Sequence, residues 1–183
     1  MSCWTSLPVR RENDFYPTPP SMVDTLVENL PRWWEEPTGD FNEPAIWEPC
    51  CGDDRLAEAL RKRGWKVYST DITHGLDFFA YGTAQSEVLV TNPPFRKIRQ
   101  LIDHAFRIGV EQMALICPER LWACEKGREQ LQRHRPRLWA NLSFREDYLG
   151  KKGSPDRSLA VALWDSPNAK RTQYEVWGRA TSK

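Results

Sequence analysis

Along the chain, short apolar runs alternate with longer stretches whose apolar residues recur three and four positions apart, the signatures of buried strands and one-sided helices. Met22, Val23, Leu26, Val27 and Leu30 share one helical face and predict a helix within Pro17–Leu30, with Pro19 and Pro20 tolerable near its first turn. Ala45–Pro49 predicts a short strand. Leu56, Ala57 and Leu60 put a helix over Asp53–Gly64, with Gly64 as its C-cap. Further strands are predicted at Trp65–Thr70, Glu87–Thr91, Gln112–Cys117, Arg137–Phe144, Ser158–Trp164 and Gln173–Trp177, with helices over Lys97–Gly109 and Glu119–His134. Gly75–Phe79 reads as a turn or strand edge, Gly150–Arg157 as a polar loop, Pro31–Pro44 as a loop rich in Trp, Glu and Pro, and residues 1–16 as irregular.

Strands alternating with helices predict an α/β domain with a mostly parallel sheet and an antiparallel C-terminal end. Its 183 residues fit one domain spanning 1–183, without internal repeats. Ligands of such sheets sit beyond the carboxyl ends of the strands, so the residues just past each strand carry the functional information.

Composition narrows the picture in three ways. With 26 basic and 25 acidic residues the net charge is +1, so any nucleic-acid contact has to come from local basic patches. Five cysteines without a CxxC pair, and His74, His104 and His134 at no zinc spacing, predict reduced thiols and no metal. Neither a signal peptide nor an apolar run of membrane-spanning length is present, so a soluble cytoplasmic protein is expected. The nine tryptophans are expected mainly in packing.

The first strand ends in Glu48 and leads through a turn containing Gly52 into a helix, where backbone N–H groups meet a ligand. A dinucleotide site would carry G-x-G-x-x-G here; this turn has one glycine, and Asp53 and Asp54 repel a pyrophosphate. A nucleoside with a cationic centre fits better, and capping of the helix is the competing role for the two aspartates. Asp71 closes the second strand and is placed for both ribose hydroxyls. Asp77 is a candidate for an adenine amino group, and Phe78 or Phe79 for packing on the ring.

The third strand runs into Asn92, Pro93, Pro94 and Phe95. Each proline fixes its own φ, and Pro93 keeps Asn92 out of the helical region. The pair removes two backbone donors and leaves every carbonyl. The result is a rigid set of acceptors, the Asn92 side-chain oxygen and a carbonyl such as Pro93's. Such acceptors orient a conjugated amine and expose its lone pair to an electrophile. Phe95 offers a face on which a planar substrate stacks.

In this order, these residues resemble the amino-group methyltransferases that use S-adenosylmethionine, whose hallmark is [DNS]PP[YFW]. They are most similar to small phage- and prophage-type DNA N6-adenine methyltransferases. The likeness rests on Tyr16-Pro17-Thr18-Pro19-Pro20, on Glu48-Pro49-Cys50-Cys51-Gly52-Asp53 and on Thr91-Asn92-Pro93-Pro94-Phe95, within roughly residues 14 to 122. It implies a Rossmann-like class I methyltransferase fold. Tyr16 and Thr18 would lie near the methionine part of the cofactor, and Glu48, Cys50 and the Gly52 turn at its amino acid end. Asp71 and Ile72 would meet the ribose side, and Asp77 with Phe78 the adenine. Asn92 and Phe95, framed by Pro93 and Pro94, would receive an adenine flipped out of DNA. Asp54 stands where that family usually has a second glycine.

Little chain is left for target recognition, so DNA contact is expected from the Trp34–Pro44 loop and from about residues 135–157. The candidate phosphate contacts are Arg133, Arg135, Arg137, Lys151, Lys152 and Arg157, with Arg96, Lys97 and Arg99 flanking the pocket. A monomer or homodimer is expected, in the host cytoplasm if phage-encoded. The rival readings are an RNA or protein-glutamine N-methyltransferase with the same site, and a nucleic-acid-binding relic that has lost transfer.

Overall fold

Neighbouring residues of the apolar runs face opposite sides of a single sheet, and two helical layers cover it. The structure, a computed structural model, describes residues 17–32, 46–145 and 158–180. Tyr16, Lys151, Lys152, Arg157, the Trp34–Pro44 loop and the Gly150–Arg157 loop fall outside them. Helices are α1 (Pro20–Asn29), α2 (Arg55–Lys62), α3 (Ile98–Arg107) and α4 (Glu125–Arg133). Strands are β1 (Ile46–Glu48), β2 (Val67–Ser69), β3 (Val88–Thr91), β4 (Gln112–Pro118), β5 (Leu138–Leu142), β6 (Leu159–Trp164) and β7 (Gln173–Trp177).

The sheet has the order β2-β1-β3-β4-β6-β5-β7. Strands β1 to β4 are parallel, β6 is antiparallel to β4 and β5, and β5 and β7 are parallel. This is a Rossmann-like, mostly parallel α/β sheet with an antiparallel strand towards its C-terminal end, as the sequence predicts. Ile46, Val88, Val90, Ala114 and Ile116 pack with α1 and α2 through Met22, Leu26, Leu56 and Leu60. Trp47, Leu89, Met113 and Leu115 pack on the other face with Ile98, Leu101, Ile102 and Ala105 of α3. Leu101 and Ile102 are fully enclosed, each contributing about 1.5–3 kcal/mol of apolar burial.

Of the turn or strand edge expected at Gly75–Phe79 the structure has turns, the 3-10 segments Ile72–His74 and Phe78–Ala80. The cause is local: the Asp71 and Asp77 carboxylates accept the N–H groups of Thr73 and Phe79, bonds that compete with a ladder. The last helix begins at Glu125 instead of Glu119. Arg99 reaches from α3 to the Leu121 carbonyl at 2.7 Å and to the Cys124 thiol, which holds residues 119–124 as a loop. Cys124 then caps α4 by accepting from the Gly127 N–H. A Cβ on Gly127 would lie 2.7 Å from the Leu121 carbonyl oxygen, so the close seating of helix on loop needs glycine.

Candidate active site

From β1 the chain winds outward to β2 and then returns across β1 to β3. The β1/β3 boundary is therefore the switch point where open α/β sheets form a crevice. Glu48 ends one of these strands, and Asn92 follows the other.

Glu48 is 1% exposed, and its Oε2 has no hydrogen-bond partner among the described residues. Burial, and then the neighbouring Asp54 carboxylate, push its pKa from 4.5 up to about 8, against a hydrogen bond from the Ala57 backbone. Burial likewise raises both thiols of the turn, Cys51 to about 12 and Cys50 further. They are poor nucleophiles. Asp54 occupies the left-handed region at φ 62, which explains why glycine suits this position. Its carboxylate does not cap α2; it binds Arg61, which also donates to the Val67 carbonyl and Ser69 hydroxyl of the β2 strand. The helix-capping role considered for Asp54 is thus replaced by a brace between α2 and β2.

Asn92 is half-buried. Its Nδ2 donates to Thr18 Oγ1 at 3.1 Å, and its Oδ1 is shielded from water without a partner among the described residues. Arg55, ion-paired with Asp53, donates to the Thr18 carbonyl at 2.9 Å. A chain of contacts thus runs from Asp53, beside the Gly52 turn, through Arg55 and Thr18 to the Asn92 amide. The Pro94 carbonyl accepts from Lys97 N–H. Pro93 is buried, and Phe95 packs partly against the core. Thr18, expected near the cofactor, accepts a hydrogen bond from Asn92. Nothing in the sequence signalled that link, because 74 residues separate the two.

Asp71 Oδ1 accepts from both the N–H and the hydroxyl of Thr73, and Oδ2 accepts from Gly52 N–H at 3.0 Å. One lone pair on Oδ2 remains, which is room for one ribose hydroxyl rather than the expected two. Ile72 is 47% exposed beside it, and Leu76 is exposed as well. Phe78 is different. It is buried against Trp47, with ring centroids 5.1 Å apart, and packs in the core, while Phe79 beside it is half-buried. Asp77 accepts from Phe79 N–H with one oxygen.

His104 was not singled out for this region by sequence. Its Nε2 donates to the Phe78 carbonyl at 3.1 Å while Nδ1 accepts from Arg107. Burial and the Arg107 charge lower its pKa, so it is neutral and ties the Asp77–Ala80 turn to α3.

The predicted basic contacts divide into two groups. Arg96 and Lys97 follow β3 at the Asn92 edge, with the Lys97 ammonium 5.3 Å from the Phe79 ring centre. Arg99 is committed to the 119–124 loop. Arg133, Arg135 and Arg137 precede β5, and Leu138 pairs with Leu163, which pairs with Ala114 near the start of β4. They therefore lie at the opposite edge from Asn92, where they contact Asp103, the Lys170 carbonyl and Asp165.

No known family pattern and no curated protein matches the sequence. Solved structures with a similar fold include the type IIG restriction endonuclease BpuSI, at 13% identity and a TM-score of 0.54, over 86% of this chain and 26% of that one. The 23S rRNA methyltransferase ErmE aligns at 9% identity and 0.48, over 86% and 73%. The M protein of the type I restriction enzyme EcoKI aligns at 13% and 0.48, over 88% and 47%. The chain spans about a quarter of BpuSI. Among the described residues no helix is long and apolar enough to cross a membrane, and no group of three His, Cys, Asp or Glu is placed to hold a metal.

The crevice also bears on which ligand fits. An unpaired buried carboxylate oxygen on Glu48, a spare acceptor on Asp71 and exposed apolar Ile72 suit a ligand with an ammonium, hydroxyls and a flat ring. A phosphate would meet Glu48, Asp53 and Asp54 instead of a glycine cradle.

Proposed function

We propose that this protein is an S-adenosylmethionine-dependent methyltransferase acting on the exocyclic N6 amine of adenine in DNA. The observation that carries the reading is the Asn92 amide: fixed by Thr18 on its nitrogen side, it keeps an unpaired, water-shielded oxygen at the end of β3. An unmet acceptor of this kind costs about 1–3 kcal/mol. A substrate N–H donor relieves that penalty.

Glu48 and the Gly52 turn hold the amino acid end of the cofactor, Asp71 a ribose hydroxyl, and Ile72 with Asp77 the adenine. Tyr16 belongs near the methionine portion. When bound, S-adenosylmethionine supplies a methyl carbon on a sulfonium, open to in-line attack by a nitrogen lone pair. Asn92 Oδ1 and the Pro93 carbonyl accept the two N6 hydrogens, drawing the amine towards a tetrahedral shape with its lone pair directed at the methyl. Phe95 stacks on the base, which has to leave the duplex to arrive there. The methylated nitrogen then releases its surplus proton to solvent, so no strong base is required.

The deciding experiment incubates the protein with cofactor and DNA, digests the DNA to nucleosides and measures N6-methyladenine by mass. Methyl transfer to RNA or to protein glutamine alone would reassign the substrate. No transfer and no cofactor binding would leave the relic reading.

A further inference from the structure

The charges along the catalytic edge of the sheet are sorted by sign. Beyond β2 and β1 lie Asp53, Asp54, Asp71 and Asp77, with Glu48 buried and protonated near neutrality; Asp53 is paired with Arg55 and Asp54 with Arg61, while Asp71 and Asp77 form no ion pair among the described residues. Across the switch point the sign reverses. Arg96 and Lys97 follow β3, Arg120 follows β4, Arg145 follows β5 and Arg179 follows β7. All five are exposed. Because β6 runs antiparallel between β4 and β5, the chain leaves β5 at this edge and enters β6 at the same edge. Among the described residues that follow β4, Glu119 accepts from Asn141 and Glu125 binds Arg128.

We propose that the β3–β4–β5 half of this edge is the nucleic-acid backbone platform, with Arg96, Arg120 and Arg145 as its phosphate contacts. The proposal rests on the methyl-transfer reading above, and it replaces Arg133, Arg135 and Arg137 in that role. Among the described residues Arg96, Arg120 and Arg145 form no ion pair, so no internal partner has to be given up. A phosphate meeting an exposed guanidinium releases counterions at little desolvation penalty. The acidic half attracts a cationic nucleoside and repels a polyanion, which confines the strand to the other half. Asn92 stands at the boundary, where a base turned out of a strand on one side meets a methyl donor on the other. Half-buried Phe144 packs against the core with the Arg179 guanidinium 5.0 Å from its ring centre, which places an aromatic side chain among the cations of this half. An acidic protein would also be drawn to the cations, but it has no flat bases for Phe95 and Phe144.

The test compares the whole protein with Arg120→Gln/Arg145→Gln, and with Arg133→Gln/Arg137→Gln as the control pair. Fluorescence anisotropy measures affinity for a short labelled DNA duplex, its single strand and a polyglutamate peptide over a range of salt. The first pair should weaken binding of both nucleic acids and flatten the slope of log affinity against log salt by about 0.9 per lost contact on duplex; the control pair should leave it unchanged. Cofactor affinity, read by calorimetry, should be the same in all three proteins. Loss of slope in the control pair alone, equal slopes throughout, or tighter binding of polyglutamate than of DNA would each overturn the proposal. Methyl transfer is scored separately with Asn92→Ala. Transfer that needs Asn92 but ignores Arg120 and Arg145 would leave the function standing and reject the platform.

Discussion

Asn92 Nδ2 donates to Thr18 Oγ1 across 3.1 Å, joining the segment before α1 to the residue that ends the β3 run. An amide that rotates by half a turn exchanges an acceptor for a donor, and a donor facing the substrate amine would oppose it. With the Thr18 hydroxyl accepting from the amide nitrogen, the amide oxygen is the atom left without a partner among the described residues.

Replacing that hydroxyl should reduce chemistry more than binding. Thr18→Val is expected to lower kcat about tenfold to a hundredfold, the equivalent of one oriented hydrogen bond, while KM for cofactor moves little. Thr18→Ser should recover most of the rate. A cofactor KM that rises in step with the loss of kcat would return Thr18 to the binding role first expected of it.

Asn92→Ala removes the acceptor itself. Turnover should fall by at least about a hundredfold to a thousandfold, the range for one preorganised polar group, with cofactor affinity by calorimetry nearly unchanged. Equal losses in both would place Asn92 in the cofactor site.

Glu48 links cofactor binding to protons. Burial, then Asp54, hold its pKa at about 8 rather than 4.5, so near neutrality the cofactor-free protein carries the proton. A cationic group displaces it. Cofactor affinity should therefore strengthen as pH rises, by up to about tenfold per unit, and level off above pH 8. Glu48→Gln should flatten the profile, and calorimetry in buffers of different ionisation heat should detect the released proton in the wild type alone. Stability runs the other way: with the folded pKa raised, its contribution is full below pH 4.5 and is lost as pH climbs towards 8. The Tm of the cofactor-free wild type should fall relative to Glu48→Gln over that window.

Phe78 and Ile72 separate packing from contact. Phe78→Ala should destabilise the fold by about 3–5 kcal/mol in denaturant unfolding, the usual cost of emptying an aromatic core site. Ile72→Ala should change stability by less than about 0.5 kcal/mol and instead weaken cofactor binding. The reverse pattern would restore Phe78 to the adenine site.

What was legible in the sequence follows from which interactions are local. The β3 and β4 runs, α3, and the Asn-Pro-Pro-Phe segment are specified by residues within a few positions of one another, and each was readable. Phe78 and Phe79 form an apolar pair whose orientation depends on Trp47, 31 residues before the first of them, so the inward ring was not identifiable. Arg133, Arg135 and Arg137 sit next to a strand in sequence, but only the pairing of β5 with β6 tells which edge of the sheet that strand begins at. The shortened α4 depends on Arg99 from another helix, a contact no periodicity encodes. Asp71 was found as a strand-end acid, while its use by Gly52 and Thr73 depends on a turn that exists only once the fold does.

The reversed direction of β6 has a consequence for how such a protein diversifies. It gathers the exits of β4 and β5 and the entrance of β6 on one rim, above strands whose interior packing is already complete. Lengthening or exchanging these connections alters what the rim grips without disturbing the layers beneath it. What the rim grips is then free to change while the Glu48–Asp71 side of the sheet stays as it is.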